Sequence, residues 1–452
     1  MSRQNSIKLE WAGKDRPFMQ EEPVVLLPEI QHVYPFPLFT DSNLLASPAP
    51  TDTPMMNQYY QADNLHVLQA LSQAENKPSI QLIYIDPPYM SQIHYRSLKE
   101  DRQQPAFADV WQPESYLAML YPRLQLMKEV LADNGSIFVH VDWHVSHYVH
   151  LLLDEIFGPD NFINEIVWCY SGGGNSRRHL LRKHDLIFWY AKSSAYTYHP
   201  QHRPYTKGTL ARGLTAVKGD KYKLAAEGAL LQDWWTDINK ILSPTAHENL
   251  KYPTQKPRQL LKRIITMASN PGDRVADFFA GSGTTGEVCN QLGRSWIMCD
   301  NSSLALQTTL SRLVVTNSPP FAIHACALSA EDTCGGEKDA AAAALRLQDV
   351  ALQPQGTDQV WLSMGIDHFM PQDLPESNVL KDFSETIEFW EIDPEYDGKI
   401  FRSRYQILRS HHQRSGDLPL NVLLSQPLRQ QYRIAVKVHD IFARQYLRVL
   451  AF

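Results

Sequence analysis

The sequence of this 452-residue chain predicts an α/β fold in which a largely parallel sheet is covered by helices on both faces. Short apolar runs of strand length, QLIYID at 81–86 and SIFVHVD at 136–142, alternate with segments of helical spacing. Two prolines follow the first run and a glycine turn follows a third run at 273–279, which is typical of strands that end at loops. A second α/β series begins with that third run.

Each element is assigned from its hydrophobic period and from the residues that bound it. The predicted helices span 64–74, 114–132, 143–157, 284–293 and 303–315. The predicted strands span 81–86, 136–142, 162–170, 184–191, 273–279 and 295–300, with β-like runs ETIEFWEI and YRIAVKVHDIF in the tail.

Changes in composition divide the chain into six segments. In order they are an extended Pro-rich arm over 1–54, an α/β segment over 55–191, a mixed polar insertion over 192–250, a second α/β segment over 251–327, a linker over 328–344 and a small β-rich C-terminal domain over 345–452. The functional start of the insertion is placed as early as residue 170, because a basic, Gly-rich stretch begins there.

Composition argues against membrane and secreted classes. No apolar run approaches about 18 residues, and the N-terminus lacks a basic start followed by an apolar stretch. We therefore expect a cytoplasmic protein without a membrane span. The five cysteines show no paired metal-ligand spacing, which fits a reducing compartment. They are Cys169, Cys289, Cys299, Cys326 and Cys334.

Positive charge is concentrated in one part of an acidic chain. The net charge is −6, yet residues 170–263 contain 17 Lys or Arg and 6 Asp or Glu. Phosphate binding depends on local positive potential and not on the total charge. This segment therefore predicts contact with nucleic acid, against the alternative of a solvated basic surface.

The tetrapeptide Asp86-Pro87-Pro88-Tyr89 lies at the end of a predicted buried strand. Open α/β sheets bind ligands beyond the carboxyl ends of their strands, so this loop is expected at the active edge. Asp86 can accept a hydrogen bond from an amino group, and Pro87 offers a carbonyl without a competing N–H. Tyr89 supplies a flat face for stacking a planar base. These four residues are the candidate catalytic residues.

The second candidate site is the glycine turn that follows Asp277. Glycines at a strand-to-helix turn allow a ligand to approach the backbone closely. Asp300 ends the next predicted strand, where a carboxylate can bind ribose hydroxyls. Gly281, Gly283 and Gly286 also spell G-x-G-x-x-G, so a nicotinamide-dependent oxidoreductase remains an alternative. That alternative leaves the Asp86 tetrapeptide without a role.

Four residues resemble metal ligands: His140, Asp142, His144 and His147. The first two fall at a strand end and the last two at a helix start. Zinc ligation also requires a defined second shell. We therefore predict no metal site here.

These motifs together resemble the amino-methylating DNA methyltransferases of the β class, especially the modification subunits of type III systems. The segments that carry the resemblance are YIDPPY (84–89), ADFFAGSGTTG (276–286), YPTQKP (252–257), ADNLHVLQAL (62–71) and DWHVSHYVHLLLDEIFG (142–158). The resemblance implies a Rossmann-like, S-adenosylmethionine-dependent methyltransferase fold. It also implies the permuted β-class order, because the catalytic loop precedes the glycine loop, with an inserted recognition region.

The resemblance also assigns residues to the cofactor. Thr254 and Lys256 of the T-x-K-P segment match positions at the carboxylate end of S-adenosylmethionine, and Asp63 matches an acid near its adenine. Asp300 matches a ribose-binding acid. The glycine loop matches the part that holds methionine and ribose, which gives Asp277, Ala280, Gly281, Ser282, Gly283, Thr284 and Thr285. The loop reads DFFAGSG where the family usually has DPFxGSG.

The region between the two halves recognises the target in this family, which implies recognition at about 170–250. The predicted DNA-binding residues are Arg177, Arg178, Arg182 and Lys183. The implied partner is duplex DNA. A homodimer and a restriction subunit both remain open, because the chain is shorter than typical type III modification subunits.

The implied reaction is methylation of N6 of adenine in duplex DNA, with base flipping and direct in-line transfer. N4-cytosine methylation is the nearest competing reaction, although the family more often carries Ser in place of Asp86 for it. Two further functions stay open at this point, the nicotinamide-dependent oxidoreductase and a DNA-binding module with a degenerate site. The intact tetrapeptide argues against both of them.

Overall fold

The structure is a computed structural model that describes residues 8–14, 29–34, 57–74, 79–99, 102–213, 224–243, 246, 248–325, 344–371, 382–408 and 418–452. The chain forms two compact units. Unit 1 consists of Met1–Gln20, Leu68–Ala280 and Thr284–Ile297, and unit 2 consists of Glu21–Val67, Gly281–Gly283 and Met298–Phe452. The predicted linker, apart from Ala344, lies outside the described residues, as do Cys326 and Cys334.

The described part of the chain contains five helices close to the predicted positions and two others. They are α1 (Asn64–Gln73), α2 (Pro113–Val130), α3 (Ser146–Phe157), α4 (Lys207–Gly213), α5 (Arg258–Ala268), α6 (Thr284–Gln291) and α7 (Ser303–Val315). Among them α4 and α5 have no counterpart in the sequence analysis. Of the helices in the described part of the chain, none combines the length and hydropathy needed to cross a bilayer.

The strands are numbered along the chain. Unit 2 contains the first two, β1 (Glu29–Tyr34) and β2 (Asn57–Gln61). Unit 1 contributes β3 (Ile80–Ile85), β4 (Ile93–Lys99), β5 (Arg102–Asp109), β6 (Leu131–Val141), β7 (Phe162–Cys169), β8 (His184–Ala191), β9 (His202–Arg203), β10 (Ala229–Leu230), β11 (Trp234–Trp235) and β12 (Arg274–Asp277). Strand β13 (Ser295–Asp300) spans the boundary between the units.

The sheet of unit 1 has the strand order β11-β7-β8-β6-β3-β12. Strand β3 pairs in parallel with β6 on one side and with β12 on the other. All six of its residues are buried, which explains why its sequence is apolar without alternation. Strand β8 runs antiparallel to β6 and β7, so the sheet is mixed and not wholly parallel.

Helix α5 of unit 1 is stabilised by the packing of its apolar face. It buries apolar side chains at helical spacing, and Lys262 on the same helix is exposed. The buried residues are Leu260, Leu261, Ile264, Ile265, Met267 and Ala268. Such an apolar stripe stabilises a helix mainly through packing, and not through its intrinsic propensity.

In unit 2 the strand order β13-β2-β14-β1-β18 includes β14 (Phe321–Ala325) and β18 (Phe401–Arg402). Strand β14 pairs in parallel with β2 and antiparallel with β1. Strand β1 therefore lies within the segment that the sequence analysis describes as an extended arm. Helix α7 begins after Ser302, whose hydroxyl accepts a hydrogen bond from the N–H of Ala305.

Beyond residue 344 the described chain contains a 3-10 helix at Phe383–Thr386 and, besides β18, further strands that agree with the β-like runs of the tail. The strands are β15 (Leu345–Gln355), β16 (Gln359–Phe369), β17 (Ile387–Asp393), β19 (Tyr405–Leu408), β20 (Asn421–Pro427), β21 (Arg433–Asp440) and β22 (Gln445–Ala451). One sheet has the order β15-β16-β20 and the other β19-β17-β21-β22. Both contribute to a common apolar core that includes Leu362, Trp390 and Val436.

Candidate active site

The candidate site lies at the edge of unit 1 where parallel strands end. Asp86 directly follows β3, and Asp277 is the last residue of the neighbouring parallel strand β12. Because parallel strands end at the same edge of a sheet, the tetrapeptide and the start of the glycine turn lie at one edge, as predicted.

Both oxygens of the Asp86 carboxylate have a hydrogen-bond donor. The Tyr89 hydroxyl donates to Oδ1, and Lys256 Nζ lies 2.5 Å from Oδ2. The side chains of Lys256 and Asp86 are only 10% and 17% exposed, so solvent screens this ion pair less than a surface pair. Lys256 Nζ also lies 5.2 Å from the centre of the Tyr89 ring, in cation–π geometry.

Tyr89 stays a hydrogen-bond donor over a wide pH range. Burial and the neighbouring Asp86 carboxylate raise the pKa of Tyr89 well above its usual value. The phenol is therefore protonated at neutral pH, and its proton points at Asp86. This contact fixes the ring that the sequence analysis assigns to base stacking.

Asp109 binds the candidate catalytic loop through hydrogen bonds, and the sequence analysis did not identify it. Its carboxylate accepts hydrogen bonds from the backbone N–H groups of Tyr89, Met90 and Ser91 at 2.8–3.1 Å, and from the Ser91 hydroxyl at 2.6 Å. Asp109 is 1% exposed and ends strand β5. Met90 has φ 57°, a left-handed conformation that is costly for a residue with a side chain. Asp109 therefore stabilises a strained loop.

A chain of buried polar side chains lies behind Tyr89. The Tyr84 hydroxyl is 2.9 Å from His140 Nδ1, His140 Nε2 is 3.1 Å from Asp185 Oδ2, and the Tyr170 hydroxyl donates to Asp185 Oδ1. Burial would raise the pKa of Asp185, but the hydrogen bond and charge of His140 hold it below its usual value. The rings of Tyr89 and His140 lie 6.2 Å apart. The network therefore lies next to the ring of Tyr89 in the candidate catalytic loop.

Three of the four residues that resemble metal ligands form hydrogen bonds within the protein. His140 belongs to the buried network, and His144 Nδ1 lies 2.6 Å from Asp142 Oδ2. The backbone N–H of His144 also donates to Asp142 Oδ1, so Asp142 shapes the start of the next turn. Within the described residues, no group of three or more His, Cys, Asp or Glu side chains is arranged to hold a metal ion.

The predicted T-x-K-P segment is held in an unusual backbone conformation. Thr254 is exposed and has φ 59°. Gln255 fixes the turn, since its side chain accepts from the N–H of Leu250 and donates to the carbonyl of Glu248. The Thr284 hydroxyl donates to the carbonyl of Lys256, which joins this segment to the start of α6. Non-glycine residues held at positive φ often occur at functional sites.

Both carboxylate oxygens of Asp277 accept hydrogen bonds from the glycine turn and the start of α6. Asp277 is 3% exposed, accepts from the N–H of Phe279, and accepts from the Thr285 hydroxyl at 2.5 Å. Ala280, Thr284 and Thr285 are buried as well. The contacts of Asp277 and Thr285 therefore shape the turn, and the structure places neither side chain at an open surface.

The remaining loop residues lie in unit 2, where α7 supports them. Arg312 donates to the Ser282 carbonyl at 2.7 Å, and the Thr309 hydroxyl donates to the Gly281 carbonyl. Gly283 has φ 72°, and a Cβ there would lie 2.6 Å from Thr309 Oγ1. Glycine is thus required by the backbone and by Thr309. The close ligand approach expected from the sequence stays a prediction.

Two acids of unit 2 complete the predicted cofactor set. Asp300 Oδ2 accepts from the N–H of Gly281 at 2.8 Å, and Oδ1 accepts from the N–H of Ser302. Burial raises the pKa of Asp300, although these backbone N–H groups oppose the rise. Asp63 is exposed and accepts from the N–H of Leu65 at the start of α1. Carboxylates at Asp63 and Asp300 are chemically suited to accept hydrogen bonds from a ligand that carries hydroxyl or amino groups.

The predicted DNA-binding residues lie on the loop between β7 and β8. Arg177, Arg178 and Arg182 are exposed. Arg182 lies over the ring of Trp143 at 3.8 Å, and Lys183 donates to the carbonyl of Gly173. Two of the four cations therefore have contacts within the protein.

The family of the chain follows from comparison with known proteins. The family model described as DNA methylase (N6_N4_Mtase) matches residues 80–310, just over half of the chain. The chain belongs to this family, and it is therefore an enzyme, a DNA methyltransferase. The family is one of S-adenosylmethionine-dependent methyltransferases, so the predicted cofactor is confirmed.

Curated relatives are similar over part of their length. The chain is 27% identical to type II methyltransferase M.EcaI of Enterobacter cloacae over 323 residues, which cover 58% of this chain and 70% of the relative. It is 28% identical to DNA adenine methyltransferase YhdJ of Escherichia coli K12 over 253 residues, covering 55% and 81%. The predicted resemblance to type III modification subunits stays a prediction.

Solved structures also match. The M1.HpyAVI–SAM complex is 21% identical with a TM-score of 0.39, over 57% of this chain and 98% of that chain. PvuII DNA methyltransferase, described as cytosine-N4-specific, is 16% identical with a TM-score of 0.38, over 57% and 91%.

We predict that Asp109→Asn will lower kcat of methyl transfer about 10- to 100-fold, because small displacements of catalytic groups have effects of that size. The amide would turn its NH₂ group toward backbone N–H donors that now face a carboxylate oxygen. Steady-state kinetics with tritiated S-adenosylmethionine measures the change. Asp133→Asn, whose side chain is 98% exposed, is the matched control. Equal kcat values in the two variants would remove Asp109 from the support of the loop.

Proposed function

We propose that the protein transfers a methyl group from S-adenosylmethionine to N6 of adenine in duplex DNA. The observation that carries the proposal is the state of Asp86: a carboxylate at the end of β3, little exposed, and already contacted by two polar donors. An amino group that replaces or joins these donors would meet an acceptor fixed in place before the substrate arrives.

The residues of the tetrapeptide would act on the amino group of an extruded base. Asp86 would accept one amino hydrogen and the Pro87 carbonyl the other, which favours a pyramidal nitrogen whose lone pair faces the methyl donor. Tyr89 would stack on the ring while its hydroxyl stays on Asp86, and Pro88 would stiffen the loop. The cofactor supplies a methyl group on a positively charged sulfur. The proton that the methylated nitrogen loses would pass to the Asp86 carboxylate or to water.

Some of the predicted cofactor residues would contact the cofactor, and others would shape the glycine turn. Lys256, with Thr254, is assigned to the carboxylate end, Asp300 to ribose, and Asp63 to the adenine end. Gly281, Ser282 and Gly283 would present backbone groups, with Ala280 and Thr284 beside them. The contacts of Asp277 and Thr285 support a shaping role instead.

The choice of adenine over cytosine N4 rests on Asp, and not Ser, at position 86. A carboxylate is a stronger, charge-assisted acceptor than a hydroxyl, and adenine offers a larger ring to Tyr89. The name of YhdJ agrees with adenine, whereas that of PvuII methyltransferase refers to cytosine. N4-cytosine methylation is therefore the second candidate.

Duplex DNA is proposed to bind along the loop between β7 and β8. This loop leaves the sheet at the edge of Asp86, because the start of β8 pairs with the end of β6, which is adjacent to β3. Arg177 and Arg178 are exposed there and suit phosphate contacts.

We predict that methylated DNA will yield N6-methyladenine after digestion to nucleosides and mass spectrometry, and that Asp86→Ala will yield no methylated base. Duplex binding by Asp86→Ala should stay near the wild-type level, since Asp86 is assigned to the amino group and not to phosphates. A methylcytidine peak without methyladenosine would contradict methylation of adenine and would support methylation of N4 of cytosine. Product from Asp86→Ala would remove this residue from the reaction.

The pair between Lys256 and Asp86 predicts competition with the cofactor. If Lys256 also binds the cofactor's carboxylate, Asp86 draws the same ammonium away from it. Asp86→Asn should then raise the affinity for S-adenosylmethionine about fivefold or more, the lower end of typical coupling between sites. Lys256→Met should lower that affinity, and Lys262→Met, on the exposed face of α5, should not change it. Calorimetry measures all three; weaker cofactor binding by Asp86→Asn would contradict the competition.

The exposed arginines predict a change in salt dependence. Replacing Arg177 and Arg178 with Ala should reduce the slope of log affinity against log salt by about 1.8, since each lost phosphate contact on duplex DNA contributes about 0.9. A double Lys262→Ala and Lys399→Ala variant removes the same charge from exposed positions elsewhere. Equal slopes in the two double variants would place the DNA interface away from this loop.

A further inference from the structure

Leu180 is the most exposed of the large apolar side chains in the part of the chain that the structure describes, at 92% of its full area. Single exposed leucines are common and by themselves indicate nothing. Leu180, however, lies inside the most basic stretch of the loop between β7 and β8, between Arg178 and Arg182. An apolar side chain surrounded by cations suits a partner that is anionic outside and apolar inside.

The loop presents Leu180 in a defined way. The Ser176 hydroxyl accepts hydrogen bonds from the N–H groups of Arg178 and His179, which forms a turn directly before Leu180. After Leu180, Arg182 stacks on Trp143 at 3.8 Å and Lys183 donates to the carbonyl of Gly173. Contacts on both sides therefore fix the backbone while the leucine itself points into solvent.

These contacts also tie the loop to the edge of the sheet that carries Asp86. Trp143 follows the end of β6 by two residues, and β6 is the parallel neighbour of β3. Tyr170 and Asp185, at the two ends of the loop, belong to the buried network that reaches Tyr84 through His140. Leu180 is thus held on the active edge of unit 1.

We propose that Leu180 inserts into the base stack of duplex DNA and occupies the space that the target base leaves when it rotates out. The inference rests on the proposed function and adds to it the side chain that stabilises the opened duplex. Extruding a base costs stacking and pairing energy, and proteins that open a duplex insert apolar side chains to offset that cost. Arg177 and Arg178 would contact phosphates beside the opening.

The test uses two synthetic duplexes whose sequence is read from the DNA that the wild-type protein methylates in cells. In one the target base is paired, and in the other it faces a mismatched base, so that it leaves the stack at lower cost. Leu180→Ala should lower kcat on the paired duplex about 10-fold, whereas the loss on the mismatched duplex should be about 2-fold or less. Leu180→Met, which keeps an apolar side chain of similar length, should restore kcat.

Two controls separate this role from others. Leu423→Ala removes a leucine that is 60% exposed on β20 and should leave both duplexes unaffected. Arg178→Ala should raise KM on both duplexes by the same factor, because a phosphate contact does not depend on pairing of the target base.

Leu180→Ala with wild-type kcat on the paired duplex would overturn the proposal, as would an equal loss on both duplexes. Failure of the proposed function has a different signature, since DNA from cells that express the wild-type protein would then contain no N6-methyladenine.

Discussion

The Asp86 carboxylate, held between the Tyr89 hydroxyl and the Lys256 ammonium, is the interaction on which the candidate site depends. A carboxylate that is largely removed from water is costly unless hydrogen bonds or an opposite charge compensate it. Tyr89 is three residues away in the sequence, but Lys256 is 170 residues away. The pair therefore forms only after the segments around β3 and α5 have folded together.

Several strands and helices of this fold could be predicted because their sequence signals are local. The run 82–85 is apolar throughout and is followed by Asp86 and two prolines, and the structure has a buried strand there. The segments 184–191, 295–300 and 303–315 agree with the structure residue for residue. The pair of β4 and β5 was missed because RSLKEDRQQ, the sequence around the end of β4 and the start of β5, is mostly polar and has no period of two.

The supporting contacts of the site have no such local signal. Asp109 lies 18–20 residues after the groups that it binds, at the end of a strand that the sequence does not reveal. The pairing of Lys256 with Asp86 and the clash that excludes a side chain at Gly283 depend on residues brought together by folding. The motif residues could be found from the sequence, whereas the reasons for their geometry could not. For Gly283 the structure adds a reason that the sequence does not show, which is the close contact that a side chain would make with Thr309.

The rigidity of the catalytic loop carries a consequence for the substrate. Met90 and Gln92 have φ 57° and 61°, and such conformations cost about 1–3 kcal/mol each. They persist because Asp109 accepts three backbone N–H groups, and leaving buried donors unpaired would cost about 1–3 kcal/mol each. A loop fixed in this way is consistent with the proposal that the target base leaves the stack and comes to the loop, as it does in enzymes that act on an extruded base.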